Sequence, residues 1–189
     1  MRPVELIIFR EIGKADVDSA KGEGAVVTTG GGQMDLRFNP YAAMEPAFRR
    51  ALTGLPILHQ GKSVLQGPVN WMDADGALQT ETVEFWPPPQ SRPTMGRINK
   101  LPHIKFFDRM RHPGFDAEKQ YLFLMVKEVS GPAWMFLLDK QTVDNSHGWE
   151  PGIQQFLSRK WAATPASRKF VGYIDCINDK HVLGGADND

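Results

Sequence analysis

Short runs of alternating or continuous apolar residues, punctuated by glycine and proline, restrict this chain to a fold built largely of strands. From Leu78 to Trp86, Thr80, Thr82 and Glu84 are separated by Glu81, Val83 and Phe85. Met34, Leu36 and Phe38 alternate with Asp35 and Arg37 in the same way. A period of two places one set of side chains on a buried face and the other toward water. Gln120 to Val129 and Ala133 to Leu138 are apolar runs joined by Ser130-Gly131-Pro132, the pattern of a hairpin. Val4 to Phe9 and Ala25 to Thr29 are shorter strand candidates. Lys169 to Ile177 is a last one, with Phe170, Gly172, Ile174 and Cys176 on one face.

Two helices interrupt the strands. Asn39-Pro40 is a cap followed by proline, and Pro46 confines the regular helix to about Glu45 to Leu52, ahead of Gly54-Leu55-Pro56. The second opens at Glu150-Pro151, places Ile153, Phe156, Leu157 and Trp161 on one side, and ends before Pro165. The expected fold is mainly β (α+β), an open pseudobarrel of about seven strands with two short helices. It would occupy residues 1–183 as one domain, with 184–189 as a frayed tail. Gly13 to Gly24 and Trp86 to Pro93 read as irregular segments.

An apolar fraction of 41% in 189 residues, with 11 Phe and 5 Trp, is enough for a single real core. No apolar run approaches the roughly 18 residues of a membrane span. Glu5 and Arg10 interrupt any signal-peptide pattern, and the lone Cys176 excludes an intrachain disulfide. The expected location is therefore the cytoplasm, with no membrane association. Cys176, flanked by Ile174-Asp175 and Ile177, reads as a small buried hydrophobe rather than a nucleophile.

Charge distribution carries the functional signal. The chain is neutral overall, with 22 basic and 22 acidic side chains. Between Arg92 and Arg111, however, Arg92, Arg97, Lys100, Lys105, Arg109 and Arg111 face one acid, Asp108. Arg92, Thr94, Arg97, Asn99 and Lys100 are residue types that serve both phosphates and base edges. Gly96 would permit close approach and Ile98 would anchor the segment to the core. A solvated basic loop, balanced by acids distant in sequence, is the competing explanation.

Other chemistries leave weaker marks. Gly30-Gly31-Gly32 is followed by a strand rather than a helix, so no phosphate-loop or dinucleotide fingerprint is present, and no cofactor is expected. There is no G-x-S-x-G, no H-E-x-x-H and no cysteine cluster. His103, Asp108 and His112 match no metal-ligand spacing, and no metal is expected. A compact metal-dependent nuclease would have to draw on Asp116, Glu118 and Lys119, or on Lys127 and Glu128, converging only in three dimensions. A protein-interaction module using its basic surface is the remaining alternative.

The order of features resembles the N-terminal effector-DNA-binding domain of EcoRII-like restriction endonucleases, a DNA-binding pseudobarrel. The resemblance rests on Arg10-Glu11-Ile12 closing the first strand, the polar loop of Lys14, Asp16, Asp18, Ser19 and Lys21, then Gly31-Gly32-Gln33, and later Arg92 to Lys100. It implies two arms that grip double-stranded DNA from opposite sides. Arg10, Lys14, Ser19 and Lys21 would belong to the first, and Arg92, Arg97, Asn99 and Lys100 to the second, with Gln33 and Thr94 as further DNA-binding residues, while Lys105, Arg109 and Arg111 hold phosphates. The family's nuclease half has no counterpart here, so the implied role is a non-catalytic reader of sequence or modification in restriction or phage defence, partnered by a separate nuclease subunit.

Overall fold

A computed structural model of the chain describes residues 3–14, 16–17, 35–98, 103–145 and 150–184. The strand candidate Ala25 to Thr29 lies outside the described residues. In chain order the elements are β1 (Val4–Ile12), β2 (Leu36–Phe38), α1 (Tyr41–Ala51), β3 (Ile57–His59), β4 (Lys62–Met72), β5 (Leu78–Trp86) and β6 (Gly96–Ile98). A 3-10 turn (Lys105–Phe107) then leads into α2 (Asp108–Arg111). There follow β7 (Tyr121–Glu128), β8 (Ala133–Asp139), α3 (Lys140–Asp144), α4 (Pro151–Ala163), β9 (Val171–Asp175) and β10 (Lys180–Gly184).

The strands form one sheet in the order β10-β9-β1-β7-β8-β4-β5-β6-β2, with β3 added to β4. All pairings are antiparallel except β4 with β8, which run parallel through Val69↔Ala133 and Asn70↔Trp134. The sheet curls until its end strands meet: a Cβ on Gly184, the last residue of β10, would strike the Asn39 carbonyl just past β2. The protein is thus a mainly β, nearly closed barrel, as the alternation implies, with 10 strands and 4 short helices among the described residues.

Period-two patterning fills two layers. On β1, Leu6, Ile8 and Ile12 point into the barrel, whereas Ile7 and Phe9 face outward against Leu157 and Trp161 of α4. On β9, Val171 and Tyr173 point inward, and Ile174, flanked by Phe170 and Cys176, joins the α4 side. Inside, Phe48 of α1 stacks on Phe85 (centroids 3.8 Å apart, planes at 10°) and meets Phe38 edge-on at 4.8 Å. Each such buried ring contributes on the order of 2–3 kcal/mol. Cys176 is half-buried, and burial is the main reason its thiol is pushed up to about 11, which suits a packing role.

Strand direction defines two ends. β1, β4, β6, β8 and β10 finish at the upper end, where β2, β5, β7 and β9 begin. α1 plugs the lower end, and Phe106, Phe107 and Met110 plug the upper. At the lower end Arg50 of α1 donates through Nη1 to Asp175 Oδ2 (2.5 Å) and through Nε to Glu5 Oε1 (3.0 Å), joining α1 to β9 and β1. The Arg50 hydrogen bond, helped by Asn178 and opposed by burial, holds the Asp175 carboxyl well below the usual carboxylate range.

Several local expectations are corrected. α1 begins at Tyr41 rather than Glu45, with Pro46 inside it. Pro46 forfeits one backbone bond, but Met44, Ala47, Phe48 and Ala51 form a continuous buried stripe that holds the helix. Its N-cap is Pro40, not Asn39, and the Tyr41 N–H donates to the Thr94 carbonyl (2.6 Å). Gly184, assigned from sequence to a frayed tail, pairs with Val171 in β10, whereas 185–189 lie outside the described residues. β4 is the longest strand and carries Gly67-Pro68 in its middle. There the chain leaving α1 crosses the strand: a Cβ on Gly67 would sit 2.8 Å from Thr53 N and 2.9 Å from Leu52 Cα.

Two stability predictions follow from these contacts. Gly67→Ala should cost about 1–3 kcal/mol in urea denaturation, because the obstructing atoms are backbone and cannot rotate away. Asp175→Asn should cost about 3 kcal/mol at neutral pH. Its wild-type advantage exists above the unfolded carboxyl pKa of about 4 and is lost as pH falls through the lower folded value, so the two proteins should converge in acid. A constant gap down to pH 2 would contradict that assignment.

Candidate nucleic-acid interface

The upper end carries two long connections, 13–35 between β1 and β2 and 99–120 between β6 and β7, beside the β4–β5 turn at Asp73–Ala77. These contain most of the sequence-nominated residues. Ser19, Lys21, Gln33, Asn99 and Lys100 lie outside the described residues.

Arg10 continues the inward row of β1 and is only 4% exposed. Its Nε donates to the Arg37 carbonyl (2.7 Å), Nη1 to the Glu11 carbonyl (2.9 Å) and Nη2 to Asp16 Oδ1 (2.9 Å). Among the described residues β2 ends the sheet, so the guanidinium supplies a donor that no neighbouring described strand provides. Asp16 also accepts from the Gly13 N–H (3.0 Å) and lies 3.4 Å from Lys169 Nζ. Burial works to raise the Asp16 carboxyl, but Arg10, Lys169 and Gly13 outweigh it and keep it below the usual range. Arg10, expected on the first arm, therefore stands behind the surface and holds β2 in place.

β2 and β6 present the next layer. Leu36, Phe38, Gly96 and Ile98 are buried, so Arg37 and Arg97, directly opposed in register, share the outer face beside Trp86. Opposed like charges are unfavourable unless neutralised, and Arg97 Nη1 reaches Asp35 Oδ2 at 3.2 Å. Arg97 Nε is buried without an acceptor. Arg37 makes no side-chain hydrogen bond or ion pair among the described residues. Partial burial lowers its pKa first, and the nearby Arg92 lowers it further, with Asp35 acting in the other direction.

The segment 92–100 is accordingly not one free arm. Gly96 to Ile98 is a strand paired on both edges, and Ile98 anchors it as expected. Gly96 makes room for the stacked Tyr41 and Phe85 rings (5.7 Å, 13°) rather than for an outside ligand: a Cβ there would meet both. Thr94 serves through its carbonyl at the start of α1, and Arg92 is exposed in the β5–β6 connection.

Around the upper rim, Lys14 pairs with Glu118, and Arg111 pairs with Asp108; both pairs are solvent-exposed and contribute little to stability. The backbone N–H groups of Lys105 and Phe106 donate to Glu81 (2.7 and 3.0 Å), leaving the Lys105 ammonium exposed and unpaired among the described residues. Arg109 lies over the rings of Phe106 (4.5 Å) and Trp71 (5.5 Å) and donates to the Met72 carbonyl (3.0 Å). Its pKa is lowered chiefly by burial, with Asp73 opposing. Lys105 and Arg109, with Trp71, Met72 and Asp73 opposite, line a cleft of about 760 Å³ between the β4–β5 turn and the upper plug.

The nuclease candidates do not assemble at this end. Glu118 is engaged by Lys14, Asp116 accepts from the Glu118 N–H (3.0 Å), and Lys127 is buried against the Gly131 carbonyl. Among the described residues, no three His, Cys, Asp or Glu side chains form a group able to hold a metal ion. The residues sequence reading missed are Arg37, Trp71 and Glu81. The outward face of Arg37 is readable from the β2 alternation, but its neighbours are brought together only by sheet closure.

Arg10→Ala should cost about 3–5 kcal/mol, because it strands a buried carboxylate and a strand carbonyl. Lys14→Ala should be within about 0.5 kcal/mol of wild type. Equal effects in chemical denaturation would remove the special role of Arg10. Compared with known proteins, this sequence matches no family model and no curated protein.

Proposed function

We propose that this protein binds double-stranded DNA, using the upper end of the barrel and the adjoining β2–β6 face. One observation carries the reading: among the described residues of this surface, Asp16, Asp35 and Asp73 are engaged by the protein's own donors while several cations are not. Asp16 is held by Arg10 and Gly13, Asp35 by Arg97, and Asp73 by the backbone N–H groups of Asp75 and Ala77 and the Gln79 amide. Arg37, Arg92 and Lys105 form no side-chain hydrogen bond or ion pair among the described residues. Arginine and lysine with open donors on one surface are what phosphate neutralisation requires. Arg111 and Lys14 add cations that exposed pairing would release to a stronger anion.

The resemblance to EcoRII-type effector domains in the order of sequence features supports the same reading. On that basis sequence or modification would be read by groups on the two long connections and by Arg97, with a separate nuclease as partner. The paired and buried cations limit how many residues act directly; Arg10 contributes by positioning β2.

The test is anisotropy of a labelled duplex pool across salt concentrations, with and without magnesium. Binding should weaken steeply with salt and leave the DNA intact. Arg37→Ala and Arg92→Ala should each reduce affinity about 3–10-fold for every sequence and lower the salt slope by about one. Lys180→Ala, at the lower end, should change neither. Loss with Lys180→Ala equal to the others would refute the assigned face. Absence of binding at low salt would assign the basic surface to an acidic protein partner, and magnesium-dependent cleavage would establish an enzyme.

A further inference from the structure

The cleft beside the upper plug differs from the β2–β6 face in its mixture of aromatic and cationic walls. Trp71, Met72 and Asp73 form one side, and Lys105, Arg109, His112 and Phe115 the other. At about 760 Å³ it is within the range of small-molecule sites. We infer that it accepts a single nucleotide, with a planar base against the aromatic wall and a phosphate between Lys105 and Arg109.

Four observations support this. Arg109 is half-buried and clamped on two ring faces, yet among the described residues its guanidinium forms only one hydrogen bond, to the Met72 carbonyl. A guanidinium has five N–H donors in a planar fork, so most remain available to an anion. The acids of the cleft are committed elsewhere: Asp73 closes the β4–β5 turn, and Asp108 pairs with Arg111. His112 accepts from the Gly114 N–H through Nδ1 (3.1 Å), which holds its ring at the cleft wall and leaves Nε2 unused by that bond. Finally, Phe115, partly buried and stacked on Tyr121 (4.4 Å, 26°), lines the cleft with an aromatic ring.

The ligand needs both an aromatic ring and an anion, which separates it from bare phosphate and from an unphosphorylated nucleoside. Free nucleotides and unpaired nucleotides within a strand share this chemistry. The inference rests on the nucleic-acid reading for its biological sense, but it can fail independently of duplex binding.

Calorimetry of the full chain with AMP, CMP, adenosine, inorganic phosphate and a short single-stranded oligonucleotide tests it. A nucleoside monophosphate should bind with Kd below about 1 mM, at least tenfold tighter than adenosine or phosphate. Lys105→Ala and Phe115→Ala should each weaken it fivefold or more, while Arg37→Ala, which weakens duplex binding, should leave it unchanged. Preference for the oligonucleotide over the monophosphates would identify a strand as the source, and the reverse order a free nucleotide. No nucleotide binding by a protein that still binds duplex would overturn this inference alone. Binding insensitive to both Lys105→Ala and Phe115→Ala would place the ligand elsewhere and overturn it too.

Discussion

A single buried guanidinium organises the upper end of this barrel. Arg10 sits in a row of aliphatic side chains on β1, a position where an unpaired charge would be prohibitive. It is tolerated because Asp16 neutralises it and because it bonds to the carbonyls of Glu11 and Arg37. The last of these bonds fixes β2, which is three residues long and has a strand partner only in β6. β2 in turn sets Arg37 opposite Arg97, and so determines where positive charge appears on the outside. A buried ion pair is a poor source of net stability; its consequence here is to fix where the end strand lies.

The two ends of the barrel are closed by different means, and that asymmetry explains where binding groups accumulate. The lower end is plugged by a regular helix whose aromatic stripe stacks on the interior and whose Arg50 is saturated by Asp175 and Glu5. The upper end is plugged by a 3-10 turn and one helical turn, which bury Phe106, Phe107 and Met110 while turning Lys105, Arg109 and Arg111 outward. A short plug leaves a cleft against the β4–β5 turn, so the residues that stabilise closure also line the cavity. Arg109 shows the double duty: it packs on the Trp71 and Phe106 rings and still holds most of its donors in reserve.

The strands with clean alternation or hairpin punctuation were legible: β5, β7 and β8 fall where the pattern places them, and α4 matches its apolar stripe. β4 was not, because Gly67-Pro68 has the look of a break; only the crossing chain at Leu52 and Thr53 explains why glycine is required there. The start of α1 is hidden by Pro46, which has the form of a helix boundary, whereas an exposed proline in the second turn is outweighed by four buried neighbours. At the candidate interface, the excess of cations between Arg92 and Arg111 was visible in sequence, but their partners were not. Asp35, 62 residues from Arg97, meets it only when the barrel closes. The glycine of RPTMGRINK looked like an opening for a ligand and is instead the floor beneath two stacked rings.

The most direct test of the account is backbone amide hydrogen exchange of the full chain with and without a saturating duplex. Increased protection confined to residues 13–17, 35–38 and 96–112, with β3 and β10 unchanged, is the predicted result. Protection centred on the lower end, or none anywhere at low salt, would contradict the claim that Arg10 builds a nucleic-acid surface at the upper end.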